Sequence, residues 1–246
     1  MASNDSSKTV FLAFSVNFFI AGIKTVIAII TSSSAMFSEA VHSYVDSGNQ
    51  FILWFGMKQS KKPNKLIYPL GRGKEEYFWT LVVAVLIFTI GGLVSLEHGI
   101  EALSHPKELK NLFISIIVLS VSIILELYVL YKAVKELRSK AVDKNLPVFK
   151  LLKKSTDGPL IAIVVEDFAA TLGLGIALLG SILANVTGNP IFDAVSSIMI
   201  GLLLMLSGLF LGYEMKHLIT GETINIQTKD KVIKLIETNE LVKSVE

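Results

Sequence analysis

The sequence predicts an all-α membrane protein with six transmembrane helices and both termini in the cytosol. Three observations predict it. About half of the residues are hydrophobic (52%) and the mean hydropathy is clearly positive. Six apolar segments each reach the roughly 20 residues that a bilayer core requires. The loops between them alternate between basic and neutral or mixed. The net charge of +2 gives no bulk argument for nucleic acid. The absence of cysteine excludes thiolate metal sites and disulfides.

The segments run from Val10 to Ile30, Ala35 to Met57, Phe78 to Leu96, Leu112 to Tyr131, Leu160 to Leu183 and Ile191 to Tyr213. In lipid each must be a helix, because unpaired backbone does not survive there. The first is too long for a signal-peptide core and lacks a small-residue cleavage site, so it reads as a retained helix. The connection Thr31-Ser32-Ser33-Ser34 is uncharged, and the next contains Lys58, Lys61, Lys62, Lys65, Arg72 and Lys74. The third, around Glu97 to Lys110, is mixed. The fourth, Lys132 to Lys154, is again basic, and Ala184 to Pro190 is neutral. The positive-inside rule then places both termini in the cytosol and makes the chain multi-pass, in the cell membrane (the cytoplasmic membrane of a prokaryote).

Local signals mark several boundaries. Asp157 is placed to cap the fifth helix, with Gly158-Pro159 leading into its first turn. Gly188-Asn189-Pro190 reads as a tight turn before the sixth. Glycines 173, 175, 180, 201, 208 and 212 permit close helix packing. The basic stretch Val134 to Leu152 reads equally as an interfacial amphipathic helix or an ordinary loop. Residues 1–215 form the expected transmembrane domain. Residues 216–246 are expected to open a C-terminal cytosolic domain, incomplete here, with a short helix starting at Thr228-Lys229-Asp230 whose apolar face is Val232, Ile233, Leu235 and Ile236.

The second segment is the unusual one. It is long enough to cross a bilayer yet carries Glu39, His42 and Asp46. Residues three and four apart share a helix face, so Glu39, His42, Asp46 and Asn49 form one polar stripe. Ionisable groups at membrane depth cost about 2.5–3.5 kcal/mol each on insertion scales, so they usually face a cavity or bind something. Lys24, Glu126, Glu166 and Asp167 are further charges within the segments. Segment two runs inward and segment five outward, which places His42, Asp46 and Asp167 at compatible depths. One imidazole and two carboxylates suit a divalent first-row metal. Glu166, a backbone carbonyl or water would fill a fourth position. Glu126 reads equally as lining the ion's access route or as a helix–helix contact, for instance a partner for Lys24. Glu39 reads as a wall or gate residue. His98 and His105 read as ordinary surface residues.

The run Ser34-Ala35-Met36-Phe37-Ser38-Glu39-Ala40-Val41-His42-Ser43-Tyr44-Val45-Asp46-Ser47-Gly48-Asn49-Gln50 resembles the second helix of the cation diffusion facilitators. Tyr68-Pro69-Leu70-Gly71-Arg72-Gly73-Lys74 resembles that family's His-Pro-x-Gly-x-Gly-(Lys/Arg) loop, with Tyr68 where the family often has histidine. The resemblance covers all six helices. It implies a homodimer that exports Zn²⁺ or a similar ion from the cytosol in exchange for protons. It also implies a ferredoxin-like C-terminal domain starting near Gly221. It assigns His42 and Asp46 to the first ligand pair and Asp167 to the second. The other member of that second pair falls at Ile163, which cannot bind metal. The Glu166-Asp167-Phe168-Ala169-Ala170 run resembles the branch containing the mitochondrial-type zinc transporters, where Glu166 would stand in for the missing histidine.

The ligand chemistry agrees with antiport. Histidine and carboxylates bind metal only when deprotonated, so metal and protons compete for one site. The expected metal residues are therefore His42, Asp46, Asp167 and Glu166, with Zn²⁺ and H⁺ as cargo and no cofactor. The expected partners are the divalent ion, protons, the lipid bilayer and a second copy of the chain. Two alternatives stand beside zinc efflux: a Mn²⁺, Fe²⁺ or Co²⁺ transporter of the same fold, and a non-transporting membrane scaffold. No HExxH or GxSxG motif supports an enzyme.

Overall fold

Each predicted apolar segment lies within a long helix. The structure, a computed structural model, describes residues 2–62, 67–69, 71–141, 143–221 and 226–238, with side-chain surroundings described from residue 17 and, in the last segment, from residue 232. The long helices are α1 (Ala2–Thr31), α2 (Ser34–Ser60), a continuous rod Glu75–Ser104, α5 (Leu112–Lys140), α7 (Gly158–Thr187) and α8 (Ile191–Thr220). The rod consists of α3 (Glu75–Leu86), a π-helical stretch Ile87–Leu93 and α4 (Val94–Ser104). Two short helices, α6 (Val148–Lys154) and α9 (Ile226–Glu237), complete the described elements, which include no strand.

Among the described residues four helices are long and apolar enough to cross a bilayer: Glu75–Ser104, Leu112–Lys140, Gly158–Thr187 and Ile191–Thr220. The chain is therefore a multi-pass membrane protein. α2 has the length, but its polar stripe lowers its hydropathy. Of the four, α7 is the most enclosed and α5 the least. α7 packs on α5, α8 and α2, and α2 also packs on α1, α3 and α8.

The helix ends have local causes. The Asp157 carboxylate accepts the Leu160 N–H at 3.1 Å, and Pro159 occupies the first turn of α7. Gly188 ends α7 in the left-handed region at φ 67°, which favours glycine. α9 begins at Ile226, two residues before the predicted start, and Val232, Leu235 and Ile236 are exposed. The basic stretch 134–152 is part helix and part loop. Its first part continues α5 to Lys140, and its last part enters α6, which buries Leu151 and Leu152.

Small residues bring the rod and α8 together. A Cβ on Gly201 would lie 2.6 Å from the Leu96 nitrogen, and one on Gly208 would lie 2.8 Å from the Ala84 oxygen. Gly180 is as tight against Ser196, and Gly173 meets the Glu39 carboxyl at 2.9 Å. Gly175 and Gly212 make only ordinary van der Waals contact.

Hydrogen bonds tie the connections into two ends of opposite character. At one, the Lys110 N–H donates to the Thr31 oxygen at 3.0 Å, and the start of α8 meets the start of α2 through Asp193. At the other, Lys74 Nζ donates to the Ile219 oxygen at 2.9 Å, Tyr77 to Thr156 at 3.0 Å and Lys140 to Asp157 at 2.8 Å. Neutral and mixed connections share the first end, and the basic ones share the second.

Candidate metal site

The polar stripe of α2 turns inward. Glu39 and Asn49 are fully buried, His42 is 4% exposed and Asp46 is half-buried. The period of the helix brings these residues to one face. The face meets α7, whose adjacent Glu166 and Asp167 are 3% and 8% exposed. Asn49 Nδ2 donates a short hydrogen bond to Glu166 Oε1. The Asp46 and Glu166 carboxyls lie within hydrogen-bonding range of each other. Asp167 has Asp46 and Glu126 as its charged neighbours, so α5 contributes a further carboxyl to the same region. Ile163, one turn before Asp167 on α7, is 36% exposed.

Several donor atoms are left over. Both ring nitrogens of His42, Asp167 Oδ2, Asn49 Oδ1 and Glu39 Oε1 are buried without a hydrogen-bond partner. Buried polar atoms are normally paired, so such a concentration in one region calls for an explanation such as an ion. The chemistry of the set, imidazole nitrogen with carboxylate oxygen, fits a divalent first-row cation. Among the described residues no three His, Asp or Glu side chains already converge at coordination distance. The structure thus brings Asp46, Glu166 and Asp167 into one region and aligns His42 on the same face as Asp46, without closing a shell around a point.

Two features were not legible in the sequence. Lys24 on α1 pairs with Glu39 on α2 at 3.5 Å, both almost fully buried, and donates to Ser43 Oγ at 2.9 Å. Lys24 therefore meets Glu39, not Glu126, in an ion pair; the only prior signal was that two opposite charges at membrane depth need partners. Asp193, 1% exposed at the start of α8, accepts from Ser33 Oγ at 2.7 Å and from the Ser34 and Ala35 N–H groups. It caps the N-terminus of α2 from another helix, and a lone aspartate early in an apolar segment gives no hint of that.

Tyr68, in the α2–α3 loop, packs against Arg72, whose guanidinium lies 4.8 Å from the ring centre. Arg72 in turn pairs with Glu75 at the start of α3.

Residues 10–218 match the family model described as the cation efflux transmembrane domain. The chain is 32% identical over 238 residues to the Homo sapiens proton-coupled zinc antiporter SLC30A9, mitochondrial, covering 97% of this chain and 42% of that protein. It is 29% identical over 240 residues to metal tolerance protein C4 of Arabidopsis thaliana, covering 98% and 52%. It is 25% identical over 156 residues to magnetosome protein MamM of Paramagnetospirillum magneticum, covering 61% and 46%. The chain spans about half the length of the curated relatives it matches. The match with the domain over most of its length, together with the buried polar stripe of α2 facing α7, means that the chain belongs to the cation efflux family, the cation diffusion facilitators, a family of transporters and not of enzymes.

Proposed function

We propose that this chain is the membrane part of a Zn²⁺ transporter that exports the ion from the cytosol by proton antiport. His42, Asp46 and Asp167 are its ligands, and Glu166 is the fourth. The observation that carries the reading is the set of unpartnered donor atoms on His42 and Asp167, beside the Asp46–Glu166 carboxyl pair, inside a multi-pass helical bundle. The similarity to a protein named as a zinc antiporter supports the choice of ion and of counter-ion.

The mechanism follows from the site. Carboxylates and imidazole bind a metal only when deprotonated, so an ion that takes Asp46 and Glu166 as ligands competes there with protons. Protons arriving from the opposite side displace the ion in turn. Exchange follows if the helices alternately open the region toward each face around a site that stays at the same depth. All six long helices cross the bilayer in this reading. The basic end and both termini face the cytosol, and the protein sits in the cell membrane. Two copies form a homodimer, and residues 216–246 open a cytosolic ferredoxin-like domain.

A Mn²⁺, Fe²⁺ or Co²⁺ transporter is the second reading. One observation favours it: Ile163 stands where the family pattern has a ligand, which makes the donor set richer in oxygen and weakens any zinc preference.

Proteoliposomes loaded with a metal-sensitive dye test both. Zn²⁺, Mn²⁺, Fe²⁺ and Co²⁺ are compared under an imposed pH gradient, for the full chain and for Asp46→Ala and Asp167→Ala. The expected outcome is Zn²⁺ flux that follows the gradient and disappears in both variants. A higher rate for another ion replaces the first reading with the second. Flux that survives both substitutions refutes the assigned site, and no flux for any ion in folded protein returns the scaffold reading.

A further inference from the structure

At the neutral end lies a cavity of about 340 Å³ between the α1–α2 turn, the end of α4 and the start of α8. Its lining includes Phe37, His98, Glu101, His105, Lys107 and Asp193. It holds two imidazoles and a carboxylate from one helix end, in the spacing His98-x-x-Glu101-x-x-x-His105. Side chains three and four apart on a helix are neighbours on one face. The pattern runs into the helix end, where the His105 N–H donates to the Glu101 oxygen at 2.8 Å. Asp193 is occupied by the cap of α2 and contributes charge, not a ligand. Lys107 opposes part of that charge, which keeps the affinity for a cation low.

The position relates the cavity to the intramembrane site. Phe37 and His98 both line the cavity, and their rings pair with centroids 4.1 Å apart. Phe37 precedes His42 by five residues on α2, which is about 7.5 Å along a helix axis. The ring pair is therefore at a depth between the mouth of the cavity and the stripe that starts at Glu39 and His42.

We propose that this cavity is a vestibule for the transported divalent cation on the neutral face of the membrane, where His98, Glu101 and His105 bind the ion weakly and exchangeably on its way to or from the buried stripe. The proposal rests on the transport reading for the ion's path, though the binding itself does not. Nitrogen and carboxylate donors of this kind are those of first-row divalent cations. Among the described residues no three such side chains converge. Glu101 and His105 are exposed at the end of α4, however, so packing does not lock either side chain in its present position.

Co²⁺ alone is the probe, titrated into the full chain in nanodiscs and read by its visible absorption. In Asp46→Ala/Asp167→Ala protein, which lacks two of the four intramembrane ligands, one weak Co²⁺ site is expected to persist. Adding Glu101→Gln/His105→Ala should lower the remaining affinity about tenfold or more. These two residues are exposed, so folding is not at stake. His98→Ala, which also removes the Phe37 partner, should do the same. Residual binding that neither change weakens, or no residual binding at all, overturns the vestibule. Dye-loaded proteoliposomes run in parallel keep the two ideas apart. Flux absent from the wild-type chain refutes transport, while the titration still decides the vestibule.

Discussion

Lys24 and Glu39 show how a charge survives at membrane depth. Each is almost fully buried, and Lys24 donates a further hydrogen bond to Ser43 Oγ. Removing one partner leaves the other uncompensated, which costs about 3–5 kcal/mol for a buried pair. Lys24→Met and Glu39→Gln should each lower the thermal unfolding midpoint in a fixed detergent. The double variant should recover most of that loss, and midpoints that simply add would show that the two groups act independently. Glu166 presents a different test. Its carboxyl is held by Asn49 and lies against Asp46. Glu166→Gln preserves the shape and the amide contact while removing the charge. If Glu166 binds the ion, Zn²⁺ affinity measured by calorimetry should fall at least about tenfold with little change in stability. Unchanged affinity would assign Glu166 to positioning Asp46.

At the scale of elements, the caps divide into local and distant ones. Asp157 caps the helix that it immediately precedes, so Asp157→Ala should destabilise α7 by about 1 kcal/mol. Asp193 caps α2 across the bundle through a side-chain and two backbone donors. Asp193→Ala removes three accepted bonds and a charge at a helix N-terminus, and should cost more than Asp157→Ala in chemical unfolding of the same preparation. The rod depends on close approach. Gly201→Ala places a methyl 2.6 Å from the Leu96 nitrogen, and forcing the backbones apart should cost about 1–3 kcal/mol. Gly212→Ala, with its nearest atom at 3.8 Å, should be nearly silent in the same assay. Within the rod, the π-helical stretch Ile87–Leu93 contains Gly91 and Gly92, and the latter packs against α8. A π-turn shifts the face presented by everything after it, and no residue in the segment announces one.

For the whole molecule, the two ends and the buried region between them predict a pH dependence. Metal binding requires deprotonated carboxyls and imidazole. Zn²⁺ affinity should therefore fall as pH is lowered, and binding should release protons. Calorimetry in two buffers of different ionisation heat measures that release directly, and equal heats in both would contradict the competition. The sequence by itself determined what depends on neighbours along the chain. Apolar length made the long helices, the spacing of Glu39, His42, Asp46 and Asn49 made the stripe, Asp157 marked a cap, and loop charge separated the two ends. The α2 run by itself carries the resemblance to the family. Tertiary structure alone decided which groups meet across helices: Lys24 with Glu39, Asn49 and Asp46 with Glu166, Asp193 with the start of α2, and His98 with Phe37. The physical reason is that periodicity fixes which residues share a face of one helix, whereas a contact between helices depends on their relative rotation and height. A shift of one turn, about 5.4 Å, exchanges every partner without altering any local pattern.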